Sequence, residues 1–378
     1  MFTRRVLFFK TITCFLVLWG GVTNLGAMDA SLSPSVEKAK KEAEARGYVF
    51  ISSHDEIVTR AKTELKLRVL SSHTPDVIRA MTDAFKKKYP FIDLDVQEIP
   101  TAEEQFRFLL ELKAGGGKKW DSNRLHTDYY REYLPYQKKF DILSMAQRGV
   151  LNIPVQMIDP VNRNVVAFGS NISGVAYNKK LVSEKEVPNT WEDFLKPQYK
   201  GHKFATDIRP LALALLVPAW GLEKTRDFAQ KIAAQQPIWG RGYTRMLASM
   251  LAGEYAFVLG PNFPSTMHRQ RTDRTGSLGY VLFEPVPMRL TEANGILETA
   301  EHPHAAILWL EFQANPEGQK ILDEYGPYEA SYHSPDSAQS KVTQRKKLSV
   351  VDWNHYLKLP EYLAKLTEAY GFPKTQER

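Results

Sequence analysis

Three polar loops carry the residue types best suited to holding a solute. Ser71-Ser72-His73-Thr74 follows an apolar segment and precedes Pro75. Its hydroxyls and exposed backbone N–H groups can hold an anionic or polar oxygen. The same residues would also serve as a plain helix start, with Thr74 as N-cap and solvated serines. In Thr206-Asp207-Ile208-Arg209-Pro210, Arg209 can grip a carboxylate or phosphate with two parallel bonds, or pair with Asp207. Gly260-Pro261-Asn262-Phe263 offers one hydrogen-bonding amide beside one apolar wall, which suits an organic ligand. Trp220, Trp239 and Arg241 are further candidates, with core packing the default for the tryptophans.

Covalent chemistry finds no support in the sequence. There is no G-x-S-x-G elbow and no H-E-x-x-H, and the sole cysteine is Cys14. Gly115-Gly116-Gly117 is followed by Lys118-Lys119-Trp120 and lacks the Lys-Ser/Thr pair of a P-loop, so it reads as a helix stop. His302 and His304 flank Pro303, but no third ligand stands at metal-binding spacing; loop packing and capping is the favoured reading. Neither a cofactor nor a bound metal is expected.

The elements that must position these loops alternate. Leu65, Leu67 and Val69 alternate with Lys66 and Arg68 as a strand. Val77, Ile78, Met81 and Phe85 predict a helix from Pro75 to about Tyr89, stopped by Pro90. Ile92, Leu94 and Val96 predict a second strand, completing a parallel crossover unit. Ala102, Phe106, Leu109 and Leu110 predict the buried face of a second helix. Val165–Phe168 and Gly174–Tyr177 read as two short apolar segments, and Leu211–Val217 as a buried apolar element. Phe204–Thr206 and Tyr255–Leu259 read as strands, and a helix from Ala305 continues past Asn315-Pro316-Glu317-Gly318. The pattern is α/β with mostly parallel sheets.

The chain has 378 residues, room for two lobes. Met1–Lys10 is basic, Thr11–Val22 apolar, and Leu25-Gly26-Ala27 ends in small residues, the order of a cleavable secretory signal. The apolar run falls short of the roughly 20 residues of a membrane span. Cys14 lies inside this segment, so a mature chain without cysteine, lipid anchor or disulfide is expected in the periplasm. The formal charge of +7 falls to +4 once Arg4, Arg5 and Lys10 are removed. No basic stripe with interleaved aromatics points to nucleic acid, and Lys86-Lys87-Lys88 reads as a solvated helix face.

Five ordered stretches resemble the extracellular solute-binding proteins of ATP-driven (ABC) importers, in the type II periplasmic-binding subgroup of ferric-iron, polyamine, thiamine and phosphonate binders. They are Ala84-Phe85-Lys86-Lys87-Lys88-Tyr89-Pro90, Gly174-Val175-Ala176-Tyr177-Asn178, Val187-Pro188-Asn189-Thr190-Trp191 through Gly201, Ala252-Gly253-Glu254-Tyr255-Ala256, and His302-Pro303-His304-Ala305-Ala306 through Gln319. Trp191 and Phe194 in the third stretch are read as anchors to a lobe core.

The resemblance implies two α/β lobes joined by hinge strands, with a ligand cleft between them. A signal peptide would span 1–27 and an extension 28–64. Lobe 1 would comprise 65–168 and 280–315; lobe 2, 169–279 and 316–378 with its C-terminal helices. In such folds ligands sit at the carboxyl ends of strands, which selects the three loops above. Asp121 stands where the family commonly has a cleft-facing aspartate, although Ser122-Asn123-Arg124 replaces the expected apolar strand. Ferric-iron binders place a tyrosine pair after the strand that here ends in Asn262-Phe263; Tyr129-Tyr130 lies in lobe 1 and reads mainly as packing. The implied function is capture of a small polar or anionic organic solute, handed to a membrane permease with a cytoplasmic ATPase. The alternative is a receptor for a metal or metal chelate such as ferric iron; a secreted hydrolase or a ligand sensor ranks lower. A monomer is expected.

Overall fold

The computed structural model describes residues 34–326 and 328–372. The expected signal segment and Cys14 lie outside these residues. Among the described residues ten strands are present: β1 (Lys66–Ser71), β2 (Asp93–Glu98), β3 (Ser122–Arg124), β4 (Val166–Asn178), β5 (Phe204–Asp207), β6 (Ile238–Gly240), β7 (Phe257–Asn262), β8 (Leu278–Val281), β9 (Val286–Ile296) and β10 (Leu348–Val351). The principal helices are α1 (Pro34–Ala45), α2 (His54–Glu64), α3 (Pro75–Lys88), α4 (Ala102–Lys113), α5 (Leu222–Ala234), α6 (Tyr243–Ala252), α7 (Phe263–Thr272), α8 (Pro303–Ala314), α9 (Pro316–Glu324) and α10 (Leu359–Ala369).

The strands form one path, β2-β1-β3-β9-β4-β7-β5-β6, with β10 beside β9 and β8 beside β4. Parallel pairs flank each end: β1 with β2 and β3, and β5 with β6 and β7. The middle is antiparallel, so the sheet is mixed. β4 is one strand, where two short apolar segments were expected. Val166–Ile172 pairs with β9 in lobe 1, and Ser173–Asn178 pairs with β7 and β8 in lobe 2. The switch falls at a break in register between Ser173 and Val175. Gly174 sits there because a Cβ would lie 2.5 Å from the Val281 carbonyl oxygen.

Each lobe has its own apolar core. In lobe 1, Leu67, Val69, Val77, Met81, Phe85, Trp309 and Phe312 are buried together. α9 joins this core through Ile321 and Leu322, so Pro316–Glu324 packs with lobe 1 and not with lobe 2 as the family resemblance implies. The cause is its packing on α3 rather than on the lobe 2 helices. In lobe 2, Trp191 and Phe194 are buried among Phe204, Phe257 and Phe283, and α10 packs on α5 through Leu366 and Tyr362. On α4 the buried residues are Gln105, Phe108, Leu109 and Leu112, while Phe106 and Leu110 of the expected apolar face are exposed. Phe106 instead covers the ring of Tyr129, 4.8 Å between centroids.

The N-terminal α2 is pinned to α8 at both ends by histidine–carboxylate pairs. Glu64 accepts from the backbone N–H of His304 and Ala305 and pairs with the His304 imidazole. His54 Nε2 lies 2.8 Å from Glu311, whose side chain is only 5% exposed. The Glu311 hydrogen bond raises the His54 pKa, with burial opposing. A raised histidine stabilises fully below its unfolded pKa of about 6.5, and that contribution is lost as pH rises through the folded value. Stability should therefore fall between pH 6 and pH 9 by more in the wild type than in His54→Ala. The difference is about 1 kcal/mol, because the half-exposed imidazole is screened. Urea unfolding midpoints of the two proteins at both pH values check this.

Candidate functional site

The crossing of β4 and β9 makes a floor where the lobes meet. β9 presents Arg289, Thr291 and Glu292 there; β4 presents Ser170 and Asn171. Lobe 1 adds Arg124 from the end of β3, then His126, Thr127 and Asp128. Lobe 2 adds Asp207, Arg209, Leu211, Tyr243 and Asn262. Two cavities result, of 140 Å³ and 380 Å³, and Arg124, Arg289 and Asn262 line both.

Glu292 organises the lobe 1 wall. Its Oε2 accepts from the Ser72 hydroxyl at 2.7 Å and lies 3.2 Å from Arg124 Nε. Arg124 also donates to Gln105 at 2.9 Å. Burial works against Glu292 ionisation, but Arg124, His73, the Ser72 hydroxyl and Arg289 together hold it below the usual carboxylate range. The Glu292 backbone has φ of 54°, left-handed for a residue with a Cβ, and such strain clusters at functional sites. Opposite it, a Cβ on Gly169 would come within 2.7 Å of Thr291 Oγ1 and 3.0 Å of Glu292 Cγ, so only glycine lets the side chain lie there. Gln319 and Gln339 fasten the same stretch of β4 by donating to the carbonyls of Phe168 and Ser170 at 2.9 Å and 2.6 Å.

His73 is 3% exposed, with neither ring nitrogen hydrogen-bonded among the described residues. Its Nδ1 is 3.6 Å from Glu329. Burial lowers its pKa, but Glu329 and Glu292 more than offset this and raise it. His126 moves the other way, lowered by burial and by Arg124. Arg289 is half-buried, and among the described residues no hydrogen bond or ion pair engages its guanidinium. Burial lowers its pKa from an ordinary value so high that it stays charged.

The residues singled out from sequence divide. Asp207, Arg209 and Asn262 line the cleft, whereas Ser72 and His73 line neither cavity: Ser72 donates to Glu292 and His73 is buried beside Glu329. Arg209 is 65% exposed at the side chain and its Nε lies 3.4 Å from Asp207. Asp207 also accepts from the backbone of Arg209 and Gly242, both at 2.8 Å. Asn262 caps α7 by accepting from Ser265 N at 2.8 Å, which leaves its amide NH2 for the cleft. Ser71 is buried, its hydroxyl accepting from His73 N. Thr74 stands at the N-cap of α3 but its side chain makes no cap bond. Thr206 is buried in β5 against the Tyr370 hydroxyl. Phe263 is buried between Tyr280 and Tyr328, a packing role rather than a cleft wall. Tyr130 donates to Asp159 inside lobe 1. Trp220 packs on Phe228 and Trp239 on Tyr370.

Asp121 does not face the cleft. It is 2% exposed, and its carboxylate accepts from the backbone N–H of Arg68 and of His302 and meets the His302 imidazole, each at 2.9 Å. It ties the start of α8 to β1. Arg124, Arg289, Glu292 and Glu329 were missed; a lone arginine in the alternating Val286, Met288, Leu290 strand was the available signal.

The sequence profile of the bacterial extracellular solute-binding protein family matches residues 122–359. The chain belongs to this family. Capture of a solute for an ABC importer is the role of its members, and no helix among the described residues is long and apolar enough to cross a membrane. No curated protein matches the sequence. Among solved structures, the chain is similar to the Trichodesmium protein IdiA (FutA) in complex with iron and citrate, at 19% identity and TM-score 0.64, covering 82% of this chain and 100% of that one. It is similar to the apo ferric ion-binding protein A of Pasteurella haemolytica, at 17% and 0.62, covering 83% and 100%. It is also similar to iron-bound HitA of Pseudomonas aeruginosa, at 16% and 0.58, covering 81% and 99%. Likeness at these identities concerns the fold, two lobes about a cleft.

Because Asp121 is structural, Asp121→Ala should destabilise this solute-binding protein by about 2–3 kcal/mol, the cost of orphaning buried donors. Solute affinity of the folded fraction should not change. Denaturant unfolding and calorimetric titration separate the two.

Proposed function

We propose that the protein captures a small organic anion between its lobes and presents it to a membrane permease with a cytoplasmic ATPase. The observation that carries this reading is Arg289. Arg124 is committed to Glu292 and Arg209 to Asp207, whereas the Arg289 guanidinium, which lines both cavities, makes no hydrogen bond or contact ion pair among the described residues, Asp128 and Glu292 attracting it only without contact. A half-buried guanidinium without an anion is costly, and a carboxylate or phosphonate supplies the missing partner in bidentate geometry. Asn262 can donate to the same group. Reversible binding needs no covalent step, so the reading is of a binding protein rather than an enzyme. It would act as a monomer in the periplasm after removal of residues 1–27.

A metal chelate is the second reading, favoured by the ferric-protein likenesses and by the iron-and-citrate complex of one of them. An organic anion around the metal would use the same Arg289. Bare ferric iron is disfavoured by Asn262-Phe263 where the family's iron binders carry tyrosines.

A thermal-shift screen of the mature protein tests this, with carboxylates, phosphonates, sugar phosphates, amino acids, polyamines, ferric iron and ferric citrate. An anion at 100 times its Kd should stabilise by about 2.7 kcal/mol. Arg289→Gln should weaken it 10- to 100-fold, the loss of a charge-assisted pair. Equal affinity in wild type and Arg289→Gln, or binding of polyamines alone, would overturn the reading.

A further inference from the structure

We infer that the solute is an amphiphilic organic anion, bound with its acidic head at Arg289 and an apolar body on a leucine wall. This rests on the anion reading above and adds the other half of the ligand.

The two cavities differ in chemistry although they share Arg124, Arg289 and Asn262. The 140 Å³ cavity is walled by hydroxyls, amides and carboxylates: Ser170, Asn171, Ser265, Thr291, Glu292 and Glu329. It has room for a head group and only Pro264 as an apolar wall residue. The 380 Å³ cavity is within the range of small-molecule sites and adds Leu211, Leu359 and Leu363. Leu211 and Leu363 are only half-buried, although each stands on an element packed into the lobe 2 core.

The spacing on α10 explains how they come to face the cleft. Leu359 and Leu363, four residues apart, share one side of the helix. Tyr362, Leu366 and Tyr370 recur on the same apolar face, which packs on the lobe 2 core together with Leu359. Leu363 also packs against that core but is left partly exposed, and there it meets the cavity. The exposed parts of Leu211 and Leu363 face a cavity that also carries Arg124, Asp128, Asp207 and Arg209, and an apolar ligand body would cover them. The wall is also tied to the head-group side: Tyr356, just before α10, has its hydroxyl 3.1 Å from Thr127, which lines the same cavity. An inorganic anion would fill the small cavity and leave this wall wet.

Calorimetric titration of the full mature chain with straight-chain carboxylates from acetate to octanoate, and with phosphate, citrate and ferric citrate, tests the inference. Affinity should rise about fourfold per added methylene over the middle of the series, the equivalent of burying one CH2. Leu363→Asn should cut that increment to twofold or less. Leu211→Ser should do the same, so that an α10 packing defect in the first variant does not decide the outcome. Arg289→Gln should weaken every member by a similar factor. If phosphate, citrate or ferric citrate binds more tightly than octanoate and the leucine variants leave the increment flat, the apolar body is refuted while the anion reading stands. If no anion binds and Arg289→Gln is silent, both fall.

Discussion

The structure depends on β4, a strand that pairs in both lobes, and on β9, which runs beside it in the lobe 1 sheet. A strand that changes partners part-way forces two sheets to share a seam. β4 makes the change at Ser173–Val175, where Gly174 admits the Val281 carbonyl. β9 runs antiparallel to it through the seam, and its register with β4 holds from Val166 to Ile172. Side chains alternate along a strand, so Val286, Met288 and Leu290 go to the core while Arg289 and Thr291 share the opposite face. The pleat thus delivers a cation to the place where the lobes meet.

Glu292 breaks that alternation, and the break has an electrostatic result. Its left-handed backbone carries the carboxylate to Ser72 and Arg124, across the glycine at 169 that alone leaves room. Pairing Arg124 in this way leaves Arg289 without a carboxylate in contact. The strain is sustained by a rigid surround: Gln319 and Gln339 hold β4 from the other side, and Ala330 bridges to Gly169.

Much of the fold was legible because its helices and outer strands obey simple periods. β1, α3 and β2 fall within a residue or two of their predicted bounds. β3 was obscured because Ser122 and Asn123 are buried polar residues. They are tolerated because Ser122 donates to the Gly295 carbonyl and Asn123 accepts from Gln137. The loops Ser71–His73 and Asp207–Arg209 are singled out because strand ends in such folds face ligands; the second lines the larger cavity and the first lies behind Glu292. Asp121 was misassigned because position beside a strand does not tell which way a carboxylate turns. Arg124 and Arg289 were missed because a charge within a strand looks like an edge residue until the neighbouring strand is known.

The division of groups between the lobes bears on closure. A ligand shifts a two-state equilibrium only by its difference in affinity for the states. Groups on the seam, Arg289 and Thr291, would touch a solute in either state and favour neither. The discriminating contacts must come from the far walls, Asp207–Arg209, Asn262 and the α10 leucines on lobe 2, against Arg124 and His126 on lobe 1. A solute short enough to satisfy Arg289 alone would bind without favouring closure. On the amphiphilic-anion proposal, one that spans from Arg289 to the α10 leucines would gain affinity as the walls approach, which would couple ligand length to the conformation that a permease meets.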